Sequence, residues 1–304
     1  LVAFGSTWTN AFAAFDDTKK AYEDAFPDAD VYFCFSSDIC INRASAGEHG
    51  ESRNYYEPRY LLHAIGAAKY KTVYVQSLQV IPGEEFANVV AAVKKFANNG
   101  YVKDAHLDDE YLKTVEIHLG MPLLNDLDEV DDVAKLLNDL YHEEAAQGVV
   151  AFMGHGNPDN YDSFKANIRY TQLEKALQTY SKNYYVGTVD MKDNYKQNVM
   201  ARMQNNNITS GKVYLHALMS IAGDHAHNDM AGEGNDYWDA SEPTSEDNSW
   251  FEFFNHNGFT SVVPQTNGNP LGLLELPTIR QIWINHTKNA ELLEDAYHSM
   301  YPEE

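Results

Sequence analysis

The chain has 304 residues, of which 44% are hydrophobic, and its 22 basic and 45 acidic residues give a formal net charge of −23. This length is sufficient for two domains of ordinary size, each with its own core. The net charge argues against a nucleic-acid partner, because phosphate binding needs clustered Lys and Arg. No apolar run approaches about 18 residues, so we expect a globular protein without a membrane span.

Two further features bear on the compartment and on thiol chemistry. The only cysteines, Cys34 and Cys40, fit neither a disulfide framework nor a zinc-ligand spacing. The chain begins at Leu1 in a strand-like run without an initiator Met. We expect a cytoplasmic protein, and a periplasmic one that has lost a signal peptide is the alternative.

Along the chain, short apolar runs bounded by Gly, Ser or Asp alternate with amphipathic stretches. This alternation predicts an α/β fold, a doubly wound parallel sheet with helices on both faces. The predicted strands are residues 1–4, 30–35, 72–78, 115–121, 149–153, 184–189, 212–219 and 260–264. The predicted helices are residues 10–26, 58–69, 84–99, 129–146, 171–181, 195–206, a short one after Asn228, and 277–300.

The two halves of the chain also resemble each other. VAFG at residues 2–5 is similar to VAFMG at 150–154, and VYVQSL at 73–78 is similar to VYLHAL at 213–218. This predicts an internal duplication. We expect domains at 1–127 and 128–304 that face a central cleft, with the C-terminal helix free to pack back on the first domain.

Three polar residues in the second half lie at equal intervals, each shortly after a predicted strand. His155, Asp190 and His225 are 35 residues apart. Because consecutive parallel strands are separated by a crossover of about 30 residues or more, this spacing brings all three to one edge of a sheet. Ligands bind outside the carboxyl ends of such strands. Two imidazoles and a carboxylate there indicate a site for a divalent transition metal.

Other interpretations of these residues remain open. Each histidine could be an ordinary loop or helix-capping residue, and Asp190 could cap the helix that follows near Asp193. The chain contains no phosphate-binding loop and no G-x-G-x-x-G, so we expect no ATP and no nucleotide. It also lacks G-x-S-x-G, H-E-x-x-H and paired C-x-x-C, which disfavours an esterase or a common zinc protein.

The segment 232–250 interrupts the α/β pattern. It is rich in Gly, Asp, Glu, Ser and Asn, with Tyr237, Trp238 and Trp250 among them. It could be a solvated insertion, or it could cover a hydrophobic ligand, because long loops inside compact domains are often functional.

Several further motifs occur along the chain: VAFGS at residues 2–6, VQSL at 75–78 followed by IPGEEF at 81–86, FMGHG at 152–156, VGTV at 186–189 and IAGDHAHNDMA at 221–231. Together they resemble one family, the sirohydrochlorin cobaltochelatases of the anaerobic cobalamin pathway. The similarity covers nearly the whole chain. It implies two ferrochelatase-like halves and a lyase that inserts a divalent metal, with cobalt as the expected ion, into the tetrapyrrole sirohydrochlorin without ATP.

The resemblance also implies roles for residues. His155 and His225 fall on the two metal-site histidines of the family, and we assign both to metal holding and to proton removal. Asp190 falls where the family usually has Glu, so the third metal-site group is one methylene shorter. Nickel or iron in place of cobalt stays open.

Weaker assignments concern the first half of the chain and the class of function. Ser6, Thr7, Gln76 and Ser77 are candidate substrate-binding residues, and ordinary hydrogen bonding at strand ends is the alternative for each.

A tetrapyrrole- or haem-binding protein without catalysis is the main functional alternative. A metal-dependent hydrolase is disfavoured because no nucleophile lies near the three residues. A homo-oligomer stays open.

Overall fold

The computed structural model describes residues 1–98, 106–162, 164–233, 248–294 and 296. The chain forms two compact units, Leu1–Leu123 with Arg280–Glu304, and Leu124–Ile279. Most of the interrupting segment predicted at 232–250, namely residues 234–247, lies outside the described residues. No helix in the described ranges combines the length and the apolar character that crossing a membrane requires.

The helices and strands follow one another in an alternating order. In chain order they are β1 (Val2–Ala3), α1 (Thr9–Ala25), β2 (Cys34–Phe35), α2 (Asp38–Ala46), α3 (Pro58–Ala67), β3 (Thr72–Gln76), α4 (Glu84–Ala97), α5 (Asp109–Leu112), β4 (Glu116–Gly120), α6 (Leu127–Gln147), β5 (Val149–Gly154), α7 (Ile168–Leu177), β6 (Tyr184–Thr188), α8 (Lys196–Asn205), β7 (Gly211–Ala217), α9 (Trp250–His256), β8 (Phe259–Val262), α10 (Pro277–Lys288) and β9 (Glu291–Leu292). Single turns of 3₁₀-helix lie at Asp159–Tyr161 and Leu273–Glu275, and a π-helix lies at His225–Met230.

The two units have the same parallel strand order. In the second unit the order is β6-β5-β7-β8, and every neighbouring pair is parallel. In the first unit β1 pairs with β2 and β3 pairs with β4, all parallel, and the bridge Val2↔Ser77 joins the two pairs. Read from the edge, this gives β2-β1-β3-β4. The α/β fold class with two similar halves is therefore confirmed, and the matching strands are those whose sequences resemble each other.

The second unit provides the buried framework of the candidate site. All six residues of β5 are buried, as expected for a central strand of a parallel sheet that is covered on both faces. One face packs on Tyr185, Val199, Met203 and Phe253. Helix α6 begins where the Asp126 side chain accepts a hydrogen bond from the backbone N–H of Glu129 at 3.0 Å, an ordinary N-cap.

The C-terminal helix is shorter than the sequence predicts. The helix expected over 277–300 ends at Lys288, and β9 follows as an antiparallel strand beside β4. His118 Nδ1 lies 2.8 Å from the carbonyl oxygen of Ala290, which draws the chain onto the sheet edge. The prediction was wrong there because an apolar helical pattern does not reveal a partner that lies 172 residues away.

Shorter elements also differ from the prediction. Helices α2 and α5 were not predicted, and both are short helices capped by a polar side chain, Ser37 and Asp108. The short helix expected after Asn228 begins earlier, at His225, and has π geometry.

A largely buried ion pair ties α7 and α8 to β6. The Arg202 guanidinium donates to both carboxylate oxygens of Glu174, at 2.8 and 2.9 Å, and to the Val186 carbonyl at 2.9 Å. The Glu174 carboxylate also accepts from the Val186 backbone N–H at 2.7 Å. Arg202 reaches Asn194 Oδ1 at 2.9 Å, in the loop that follows β6. The pair therefore fixes the strand and the far end of the loop that follows it.

Removing one member of this pair should destabilise the second unit strongly. The side chain of Glu174 is only 11% exposed, so Arg202→Met leaves a buried carboxylate without its counter-ion. We expect a loss of about 3 kcal/mol in the free energy of unfolding, measured by urea denaturation. The matched control is Lys135→Met, which breaks an exposed i,i+4 pair with Asp139 and should cost at most about 0.5 kcal/mol. Equal losses of unfolding free energy in the two variants would contradict a stabilising role for the ion pair of Glu174 and Arg202.

Candidate metal site

His155 and Asp190 are held together by the main chain. His155 directly follows β5, and Asp190 lies two residues after the end of β6. The parallel pairing continues past both strands, because the Asp190 N–H donates to the His155 carbonyl at 2.8 Å. As a result, His155 Nε2 lies 3.6 Å from Asp190 Oδ2. The expected convergence of these two residues is what the structure shows.

The turn after His155 depends on Gly156. This residue has φ +80°, and a Cβ at its position would lie 2.8 Å from both the backbone N and the Cβ of Met191. The N–H of Gly156 donates to the Tyr170 hydroxyl at 3.3 Å, and its carbonyl accepts from His155 Nδ1 at 2.7 Å. The glycine therefore permits close contact between the two loops that carry His155 and Asp190.

His225 reaches the same place from the third strand. Beyond β7, the N–H of Leu218 donates to the Met153 carbonyl at 2.8 Å, and the chain then enters the π-helix that begins at His225. The imidazole rings of His155 and His225 have centroids 4.8 Å apart and planes inclined at 76°. Single π turns occur frequently at functional sites. All three residues with equal sequence spacing therefore meet at one edge of the sheet.

The electrostatic environments of the two imidazoles differ. Burial lowers the pKa of His155, and the neighbouring His225 lowers it further, against smaller opposing effects of Gly156, Asp190 and Asp229. Burial is also the largest effect on His225, but the hydrogen bond and charge of Asp229, together with other carboxylates, outweigh it and raise its pKa. The side chains are still 47% and 40% exposed, so solvent reaches both rings.

This arrangement can offer nitrogen ligands to a metal ion. Two ligands on one ion lie roughly 3 to 4 Å apart, because metal–nitrogen bonds measure about 2.0 to 2.2 Å. The 3.6 Å between His155 and Asp190 falls in this range. Within the described parts of the chain, no group of three or more His, Cys, Asp or Glu side chains is already arranged to hold a metal ion. The metal ligation by His155, Asp190 and His225 therefore stays a prediction.

The structure gives less support to helix capping, the alternative role for Asp190 and His225. Helix α8 begins after Tyr195, whose N–H donates to Asn198 Oδ1 at 2.9 Å, so the cap of this helix lies well beyond Asp190. His225 is the first residue of the π-helix, and the side chain of the preceding Asp224 makes no capping hydrogen bond there.

The four candidate substrate residues lie in the first unit. All are buried, Ser6 and Thr7 at 4% exposure and Gln76 and Ser77 at 1% or less. The Gln76 amide donates to the carbonyls of Ser77 and Met121, both at 2.7 Å, and its oxygen accepts from the Thr287 hydroxyl. Hydrogen bonding at strand ends thus accounts for Gln76. A substrate contact by any of the four stays a prediction.

Some residues that shape the site were missed by sequence reasoning. Asp229 accepts a hydrogen bond from His225, and Glu174 with Arg202 fixes β6. The four-residue spacing of His225 and Asp229 on one helical face could have indicated the first contact. Glu174 and Arg202 are 28 residues apart, and no local pattern identifies them as partners.

Comparisons with known proteins point to one family. The family model described as cobalt chelatase (CbiK) matches residues 1–291. The sirohydrochlorin cobaltochelatase of Salmonella typhimurium is 26% identical over 266 residues, which cover 87% of this chain and 84% of that protein. The sirohydrochlorin cobaltochelatase CbiKC of Nitratidesulfovibrio vulgaris is 26% identical over 239 residues, or 78% and 76% of the two chains. The structure of SirB from Bacillus subtilis with Fe³⁺ matches with a TM-score of 0.55 and 13% identity, covering 98% of this chain and 94% of that one, and this shows the fold.

Gly156→Ala should destabilise the protein by more than backbone strain alone. Gly268 is the matched control, since it has φ +79° but a Cβ added there would meet no atom within 4 Å. Gly268→Ala should cost about 1 to 2 kcal/mol for the left-handed conformation. Gly156→Ala should cost about 1 to 3 kcal/mol more, because Met191 must move. Urea denaturation of the two variants measures the difference, and equal costs would show that the contact is easily relieved.

Proposed function

The chain belongs to the cobalt chelatase (CbiK) family, as its motifs predict, and on that premise we propose that it inserts Co²⁺ into sirohydrochlorin without ATP. The observation that carries the proposal is the meeting of His155, Asp190 and His225 at the carboxyl edge of one sheet. The names of the two sirohydrochlorin cobaltochelatases that the chain resembles support the same substrates.

Metal insertion requires groups that bind the ion and groups that accept protons, and the two imidazoles can do both. The metal must lose water, and the macrocycle must lose two pyrrole N–H protons as its nitrogens bind the ion. Neutral imidazole nitrogens suit Co²⁺ as ligands, and imidazole takes up a proton near neutral pH. His155 and His225 can therefore first hold the ion and then accept the protons that insertion releases. No step in this sequence requires phosphoryl transfer.

Asp190 completes the site in this proposal. Its carboxylate, 45% exposed, lies beside His155 and can neutralise part of the charge of the ion. Because its side chain is one methylene shorter than the Glu expected at this position, it binds the ion either from closer to β6 or through a water molecule. Ser6, Thr7, Gln76 and Ser77 remain the candidate substrate-binding residues.

Truncating either histidine should remove insertion activity and leave the fold intact. We expect His155→Ala and His225→Ala to slow cobalt insertion into sirohydrochlorin by about 10² to 10⁴-fold, as for the loss of a group that accepts protons. Insertion is followed anaerobically by the absorption change of the tetrapyrrole, with and without ATP, and with Co²⁺, Ni²⁺ or Fe²⁺. Since both side chains are about half exposed, the melting temperature should change little.

The control variant is His142→Ala, which removes an exposed histidine on α6. Its insertion rate should equal that of the unaltered protein. Unchanged rates in both site variants would refute the assignment of the histidines. Spectral binding of sirohydrochlorin without any metal-dependent product would instead favour the tetrapyrrole-binding alternative.

Two variants of Asp190 separate a metal-site role from a structural one. Asp190→Asn removes the charge and should weaken Co²⁺ binding, whereas Asp190→Glu should allow direct contact with the ion and change the rate or the metal preference. Metal affinity is measured by the visible absorption of bound Co²⁺, and stability by the melting temperature. If Asp190→Asn binds Co²⁺ as tightly as the unaltered protein, Asp190 is not part of the metal site.

A further inference from the structure

The imidazole of His225 has a carboxylate partner at Nδ1, which leaves its other ring nitrogen, Nε2, outside this contact. Its Nδ1 lies 2.5 Å from Oδ2 of Asp229, four residues further along the π-helix. The Asp229 side chain is 47% exposed, so this carboxylate is not a buried group that needs a hydrogen-bond partner in the core. A carboxylate accepts hydrogen bonds, and this contact therefore places a proton on Nδ1 of His225.

His155 shows the same pattern with a different acceptor. Its Nδ1 lies 2.7 Å from the carbonyl oxygen of Gly156, which carries no proton, so Nδ1 must be the donor. A neutral imidazole has one N–H, and in both rings Nε2 is then left with its lone pair. Nε2 of His155 is also the atom that lies 3.6 Å from Asp190. In both rings, the lone pair that is free to bind a metal ion is thus on Nε2.

We propose that Asp229 is a positioning residue, which holds His225 in the Nδ1–H tautomer and leaves Nε2 of that ring available to the incoming metal ion. This inference rests on the proposed function and deepens it. A partner on the outer nitrogen of a metal-binding histidine fixes both the tautomer and the orientation of the ring. Without it, the proton of His225 exchanges between the two nitrogens and the ring rotates more freely.

The same π-helix provides a matched control pair. His227 Nδ1 lies 2.8 Å from Glu233 Oε2, a second contact between a histidine and a carboxylate. His227 is fully buried, whereas His225 is 40% exposed and faces His155. If a carboxylate partner only stabilises the π-helix, loss of Asp229 and loss of Glu233 should have similar consequences. If Asp229 positions a metal ligand, only its loss should change the metal site.

The first measurement uses the metal-free protein, at a pH above the titration of His225. Long-range ¹⁵N–¹H correlation spectra show which ring nitrogen carries the proton. In the unaltered protein, both His155 and His225 should carry it on Nδ1. In Asp229→Ala, His225 should shift toward the Nε2–H tautomer while His155 stays unchanged. In Glu233→Ala, the signals of His225 should keep their positions.

The second measurement is Co²⁺ affinity, followed by visible absorption without tetrapyrrole. Asp229→Ala should weaken binding about 10- to 100-fold, and Glu233→Ala should leave it unchanged. Should Asp229→Ala fail to fold, Asp229→Ser gives the same comparison, because its shorter side chain does not reach Nδ1. An unchanged His225 tautomer, or equal Co²⁺ affinity, in a folded Asp229 variant overturns the proposal.

The two proposals can fail separately. If the unaltered protein binds Co²⁺ but inserts no metal into sirohydrochlorin, the proposed function is wrong. The tautomer and affinity measurements still decide the role of Asp229 in that case, since neither uses the tetrapyrrole. If insertion proceeds and Asp229→Ala leaves the tautomer of His225 in place, only the positioning role is rejected.

Discussion

The hydrogen bond from the Asp190 N–H to the carbonyl of His155, at 2.8 Å, is the constraint on which the site depends. It extends the register of β5 and β6 beyond the ends of both strands, so the backbone alone places an acid beside an imidazole. Such an arrangement requires the two loops to approach closely. Gly156 allows this, because a Cβ there would lie 2.8 Å from the backbone N of Met191, whereas Gly154 lets the Tyr170 ring of α7 pack closely against β5. Glycine is therefore a requirement of the site geometry at both positions.

The ion pair of Glu174 and Arg202 supports this constraint from α7 and α8, the helices before and after β6. It holds the backbone of Val186 inside β6 and, through Asn194, the far end of the loop that carries Asp190. Asn194 in turn accepts through its carbonyl from the Thr188 N–H at 2.8 Å. The Asp190 loop is thus fixed at both ends by buried polar contacts, while the carboxylate itself stays 45% exposed. Fixed loop ends with an exposed side chain between them would suit the proposed contact of Asp190 with a metal ion.

The sequence alone predicts the central part of this site because one physical rule links spacing to geometry. Parallel strands with helical crossovers repeat at about the same interval. His155, Asp190 and His225 therefore had to reach one edge of the sheet, provided that the strands and helices were predicted correctly. The sequence does not reveal contacts set by the tertiary fold. The end of α10 depends on His118 meeting Ala290, and the position of His225 depends on a π-helix that the hydrophobic pattern does not distinguish from an α-helix. The role of Asp229 also depends on that turn.

The site is asymmetric in a way that bears on the proposed chemistry. His155 is backed by a neutral carbonyl and its pKa is lowered, first by burial and then by His225, whereas carboxylates raise the pKa of His225. With ring centroids 4.8 Å apart, a proton on one imidazole disfavours a proton on the other. In the proposed function, His225 would accordingly take up the first proton, while His155 stays neutral. The proposed order of events, in which the imidazoles hold the ion first and accept protons afterwards, therefore does not require the two rings to act alike.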